Sequence, residues 1–280
     1  MEWLQSNKLP IGAYGEAAID WLIGNFLGFF DAISAGLSSI IAGIQYLLET
    51  PHPFIVIAVF AAVAFALRRS IVAALFTAAG LLLIVNLGYW EETTQTLALV
   101  LAATFVCMVI GVPLGILAAR RDWIYEFMRP VLDLMQTIPT FVYLIPALIL
   151  FGLGTVPGLV ATVIFALPAS IRLTRLGIVS TPRALVEAGD AFGATPMQRL
   201  LAVEIPYALP QIMAGLTQTI MLSLSMVVIA ALVGAPGLGV PVLRALNTVD
   251  IARGLEAGLA IVILAIILDR FFRIDEGGRK

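Results

Sequence analysis

Apolar residues run almost unbroken through most of this chain, and the places where they stop define its elements. A membrane-crossing helix needs about 20 predominantly apolar residues, fewer where flanking arginines reach back to the interface. By that measure residues 54–68, 70–88, 94–118, 133–152, 157–173, 208–234 and 256–272 are candidate spans. The first runs through Arg68 and Arg69 straight into the second, so a tight hairpin is expected with the arginines at its tip. Residues 19–48 differ. Phe26, Phe30, Ile33, Leu37, Ile40, Ile44 and Leu48 make one stripe at helical spacing, while Asn25, Asp31, Ser38, Gln45 and Glu49 lie off it. A charged Asp31 near the centre of a spanning helix is expensive, which favours a helix lying in the interface plane. An eighth span is the alternative reading.

One polar island interrupts the pattern: residues 181–206, TPRALVEAGDAFGATPMQRLLAVEIP. Thr181 before Pro182 reads as an N-cap and first-turn proline, and Gly193 suits the left-handed turn that ends a short helix. A second helix is expected at once, with Thr195 as its cap, Pro196 at the first helical position and Gln198 completing a capping box. An ordered polar loop this long in a compact membrane protein points to a docking surface rather than a plain connection.

Basic residues orient the spans. With Arg68 and Arg69 in the cytoplasm, alternation puts Arg120, Arg121, Arg129, Arg172, Arg175, Arg183, Arg199, Arg270, Arg273, Arg279 and Lys280 on the same side. Only Arg244 and Arg253 fall outside, with Lys8 unassigned, so the positive-inside bias is strong. The island and the C-terminus are then cytoplasmic, and Glu91 and Glu92 face outward.

Composition narrows the classes. At 61% hydrophobic, 12% charged and a mean hydropathy of +1.04, the 280-residue chain belongs in a bilayer. The single cysteine, Cys107, lies in an apolar run and offers neither a disulfide framework nor a zinc pattern. The start MEWLQSNKLP is polar and acidic, unlike a cleavable leader. Net charge of −2, and acidic excess within the island itself, argue against nucleic acid. Neither lysine, Lys8 nor Lys280, follows a glycine-rich phosphate loop, and no nucleophile–base pair, catalytic carboxylate pair or metal cluster stands out. No enzyme site, cofactor or metal is expected.

Prolines and polar side chains within the spans suggest a pathway. Pro113, Pro139, Pro146 and Pro168 lie in or beside apolar spans, and broken helices in transporters mark hinges and pathways. Asp133, Gln136 and Thr137 precede Pro139, with Tyr143 following; Gln218, Thr219, Ser223 and Ser225 sit on the span 208–234. Such groups usually face protein or water, although serines and threonines also serve as glue between helices. Phe141, Tyr143, Phe151 and Phe165 offer aromatic faces of the kind that attract cations, though membrane aromatics more often only pack. GAPGLGVP, residues 234–241, is expected to be a non-helical external loop, either a gate or a simple turn before an amphipathic segment at 242–255.

Glu187, Ala188, Gly189, Gly193, Val203, Ile205 and Pro206 resemble the EAA loop of bacterial ABC importer permeases, with Gly189, Val203 and Ile205 as small or apolar departures. DLMQTIP (133–139), VYLIPA (142–147), SMVVIAALVGAPGLG (225–239) and GLAIVILAIILDR (258–270) are similar to the glycine betaine, proline betaine and choline branch, from about Trp90 onward. The resemblance implies an all-α polytopic type I permease bundle in the bacterial inner membrane with about seven spans. It also implies a cytoplasmic ATP-binding subunit docked on 181–206 through Glu187, Ala188, Gly189, Gly193 and Pro206, a periplasmic or lipid-anchored binding protein, and a second permease copy. The chain then divides into an interfacial segment (1–53), a membrane hairpin (54–88), a permease core (89–273) and a tail (274–280). A secondary transporter would need ionisable groups inside its spans, and Asp133 is the only acid expected deep in one; a channel or scaffold would need no docking island.

Overall fold

The computed structural model describes residues 10–272, so Lys8, Arg273, Arg279, Lys280 and the tail 274–280 lie outside the described residues. The described chain is helical: α1 (Ile11–Glu49), α2 (Pro53–Arg68), α3 (Ile71–Asn86), α4 (Trp90–Arg120), α5 (Asp122–Thr137), α6 (Thr140–Phe151), α7 (Thr155–Val179), α8 (Arg183–Ala191), α9 (Pro196–Arg199), α10 (Ile205–Ser225), α11 (Val227–Ala231), α12 (Gly239–Thr248) and α13 (Ile251–Phe272). A π-helical turn, Leu200–Glu204, joins α9 to α10.

The expected hairpin forms. Arg69 takes a left-handed conformation that ends α2, and the Ser70 hydroxyl accepts the Ala73 amide to start α3. Each arm has 16 residues, a rise of about 24 Å against a hydrocarbon layer of about 30 Å. The tip is tied to the end of α13, where Arg68 Nε donates to the Arg270 carbonyl at 2.6 Å.

The centre of the bundle is α7, flanked by α4 and α10. Helices α4 and α7 run parallel, because Gly111 meets Ser170 and Gly115 meets Thr174 in the same order along both. Two small residues four apart on each helix bring the backbones together, as membrane packing without a hydrophobic drive requires. The Ser170 hydroxyl donates to the carbonyls of Cys107 and Leu167 within this seam. Cys107 is fully buried, consistent with a packing role. Helix α10 runs antiparallel to α7, with Ala208 and Gln211 against Gly177 and Gly215 against Leu173.

Two expectations need correction. Residues 133–152 are not one straight span: α5 and α6 meet at 97°. Pro139 forces Ile138 into extended backbone and cannot supply an amide to continue the helix, so α5 stops at Thr137. The segment 234–241 is not non-helical throughout. Ala235 and Leu238 are buried, and α12 begins at Gly239, because Thr96 receives the Leu238 amide and draws the chain onto α4. By length and composition α1, α4, α7, α9 through α10, and α13 can cross a membrane, as can the bent α5–α6 pair taken as one unit.

Helix α1 is kinked at Phe26. Beyond the kink Leu37, Ile40, Ile41 and Ile44 pack on Ala98, Leu99, Ala102, Ala103 and Leu159, while Phe30 meets Phe151 edge-on. Glu49 at its end accepts the Thr94 hydroxyl, and Asp31 is exposed.

Candidate coupling wedge and translocation pathway

The polar island folds as a wedge of two short helices at the end of the bundle that carries Arg68, Arg120, Arg175 and Arg270. Gly193 closes α8 with φ of 73°; its amide donates to Asp190 and the Ala194 amide donates to Gly189, the paired bonds of a Schellman turn. The capping box is present, with Gln198 N donating to Thr195 Oγ1 and Thr195 N donating to Gln198 Oε1. Thr181 does not cap. Pro182 holds the N-cap position and α8 starts at Arg183, leaving the Thr181 hydroxyl buried and without a partner. Proline cannot lend a side-chain acceptor, so α8 begins uncapped.

Neither α8 nor α9 buries a residue. Arg199 holds them together: Nη1 donates to both Asp190 oxygens at 3.0 Å, and Nε donates to Glu204 Oε1 at 3.0 Å. Arg120, at the end of α4, donates to the Pro196 carbonyl at 2.7 Å. Leu200 anchors the base of the wedge among Ile178, Ala208 and Ile212. Glu187 and Ala188 are exposed, and the Glu187 side chain forms no hydrogen bond or ion pair among the described residues. A methyl group on Gly189 would meet Val203 at 3.7 Å and Arg199 at 3.8 Å, so alanine fits there without strain. Pro206 lies in the first turn of α10, where its missing amide costs little. Phe192 projects at the tip, 93% exposed, and Met197 and Leu201 are exposed as well.

The candidate pathway residues do not converge in one chain. Asp133 is ion-paired to Arg172 on α7, with Arg129 at 4.0 Å, and its side chain is half exposed. Gln136 is partly buried on α5, whereas Gln218 is exposed on α10. Ser223 and Thr219 are buried and donate to carbonyls one turn back in their own helix. Tyr143 is buried against Met226, Ala161 and Val233, where α10 breaks into α11, and its hydroxyl has no partner. Helices α6 and α10 share little contact within the chain. Among the described residues there is no metal-binding cluster.

Sequence reasoning missed Arg120, Phe192 and Thr96. The first sits at a span edge where any arginine reads as a topology marker. Only the exposed phenylalanine in a polar, glycine-closed turn was a signal that could have been read.

Residues 111–276 match the family described as "Binding-protein-dependent transport system inner membrane component". The chain belongs to this family. It is 48% identical over 263 residues to the glycine betaine transport system permease protein OpuAB of Bacillus subtilis, covering 94% of this chain and 93% of the relative. It is 45% identical over 262 residues to the glycine betaine/proline betaine transport system permease protein ProW of Escherichia coli, covering 94% and 74%. The MetNI methionine ABC transporter in an inward-facing conformation is similar in structure over 62% of this chain and 88% of that chain, at a TM-score of 0.58 and 25% identity. The chain is thus a multi-pass inner-membrane permease with the ABC importer fold.

Proposed function

We propose that this permease carries quaternary ammonium osmolytes, with glycine betaine, proline betaine and choline as the candidates, through a pathway driven by a separate ATP-hydrolysing subunit. The kinship to two betaine permeases over 94% of the chain supports the substrate class most directly. Hydrolysis in another polypeptide agrees with the lack of a phosphate-loop lysine in the sequence.

The wedge is the docking element. Positive-inside topology puts it in the cytoplasm, Gly193 turns α8 back sharply, and Phe192 offers an exposed apolar anchor for a pocket on the ATPase. A periplasmic or lipid-anchored binding protein delivers the substrate at the opposite end, near Glu91 and Glu92.

Two permease copies line the pathway between them. This accounts for α6 and α10 barely meeting in one chain while each carries candidate pathway groups, Tyr143 on one and Gln218 and Ser223 on the other. Asp133 and Gln136 lie in the last two turns of α5, just before the elbow at Ile138–Pro139 where the cytoplasmic mouth would open. Helix α1 braces the periphery, its contacts at Phe30 and Glu49 falling near the outward ends of α6 and α4.

The test is to co-purify the chain with candidate ATPase and binding-protein subunits and measure uptake of labelled glycine betaine, proline betaine and choline into vesicles. ATP-dependent uptake of at least one is expected. Uptake without ATP, driven by an ion gradient, would contradict the proposal.

A further inference from the structure

The wedge has no hydrophobic interior of its own. No residue of its two helices is fully buried, and on α8 only Val186 and Gly189 are half-buried, so apolar packing holds α8 only weakly at a fixed angle to α10. The connection between them also includes a π-helical turn, a form that recurs at functional sites and that interrupts the regular ladder. Three charged groups span this gap. Asp190 is in the last turn of α8, Arg199 ends α9, and Glu204 ends the π turn. The guanidinium uses two separate edges, Nη1 for Asp190 and Nε for Glu204, as only a planar fork can. Glu204 keeps only 10% of its side-chain exposure, so this acid is committed to Arg199.

A second branch leaves from the same element. Arg120 reaches from the end of α4 to the carbonyl of Pro196, the first residue of α9. Helix α9 is therefore fastened to α4 at one end and, through Arg199, to α8 and the root of α10 at the other. Helices α4 and α10 both pack on α7.

We propose that Arg199 is a positioning residue that carries displacement of α8 into α10, with Arg120 passing the same displacement to α4. The inference rests on the reading that α8 and its turn receive the ATPase. A push on α8 without this strut would pivot the helix about Gly193 and reach only α7, through the three-residue link 180–182.

The test uses the full complex of permease, ATPase and binding protein in proteoliposomes, with three readouts: ATPase retained on purification, ATP hydrolysed, and substrate taken up. Asp190→Asn leaves Arg199 and Glu204 paired and so guards against misfolding; Arg199→Gln removes both arms. Both variants are expected to retain the ATPase and to hydrolyse ATP. Uptake per ATP should fall about tenfold, the scale of one lost pairwise interaction. Arg199→Lys, which holds one partner at a time, should fall between. The exchanged pair Asp190→Arg with Arg199→Asp, combined with Glu204→Gln, should recover part of the loss of Arg199→Gln. Unchanged uptake per ATP in Asp190→Asn would overturn the strut. If Phe192→Asp keeps the ATPase bound and fully coupled, the docking reading fails instead, and the strut with it.

Discussion

Thr96 on α4 and Leu238, 142 residues later, are joined by a 2.8 Å bond from the Leu238 amide to the Thr96 hydroxyl oxygen. Thr96 is fully buried, so the amide has no water to turn to. This contact, together with burial of the Leu238 side chain in the core, holds the glycine-rich segment after α11 in the bundle where α12 begins. Thr96→Val keeps the shape and removes the acceptor, leaving a buried donor unpaired at a cost of about 1–3 kcal/mol. Thermal unfolding in detergent should show a lower Tm for Thr96→Val and a nearly unchanged one for Thr96→Ser. Equal Tm values for valine and threonine would mean the bond does not hold the segment.

The parallel seam of α4 and α7 depends on Gly115. A methyl group there would lie 2.7 Å from Thr174 Cβ and 2.8 Å from the Ile171 carbonyl oxygen, and backbone cannot step aside. Gly115→Ala is expected to separate the helices and lower stability by about 1–3 kcal/mol. Gly189→Ala, whose new methyl meets only ordinary contacts, should leave both assembly and uptake unchanged. Thermal unfolding and vesicle uptake on the two variants side by side check the contrast.

Much of this arrangement was legible along the chain, and the parts that were not share a cause. Long apolar runs and arginine tips marked α2, α3, α4, α7 and α13, because a span announces itself by composition. The turn at Gly193 and the box of Thr195 and Gln198 were readable because capping is local chemistry. The elbow at Ile138 was half legible: Pro139 signalled a break, yet nothing local says that α5 leaves α6 at a right angle. Thr181 misled, since a threonine before a proline satisfies the capping pattern whether or not the helix begins one residue later. Arg120 with Pro196, Asp133 with Arg172 and Thr96 with Leu238 join residues 76, 39 and 142 positions apart. No periodicity records such pairs.

Gly193 holds φ at 73° in a turn with open space around it, so backbone strain alone decides what replaces it. Gly193→Val is expected to distort the turn at a cost of about 1–2 kcal/mol and to uncouple ATP hydrolysis from uptake. The ratio of the two rates in proteoliposomes is the measurement. An unaltered ratio would remove the turn from the coupling path.

Asp133 and Arg172 pin the amphipathic α5 to α7, with Arg175 adding a contact to Asp122 and stacking its guanidinium 3.7 Å over the Tyr125 ring. Asp133→Asn leaves Arg172 without its carboxylate and should reduce uptake. The reversed pair Asp133→Arg with Arg172→Asp should restore part of it. Additive losses in the double variant would show that the two residues act independently.

The account turns on the wedge facing the cytosol and meeting the ATPase there, and thiol labelling of Ala191→Cys reads this directly. Cys107 is buried, so the introduced thiol dominates the signal. A membrane-impermeant reagent should label Ala191→Cys in inverted vesicles but not in intact cells, and bound ATPase should protect it. Labelling from outside intact cells, or labelling indifferent to the ATPase, would contradict the account.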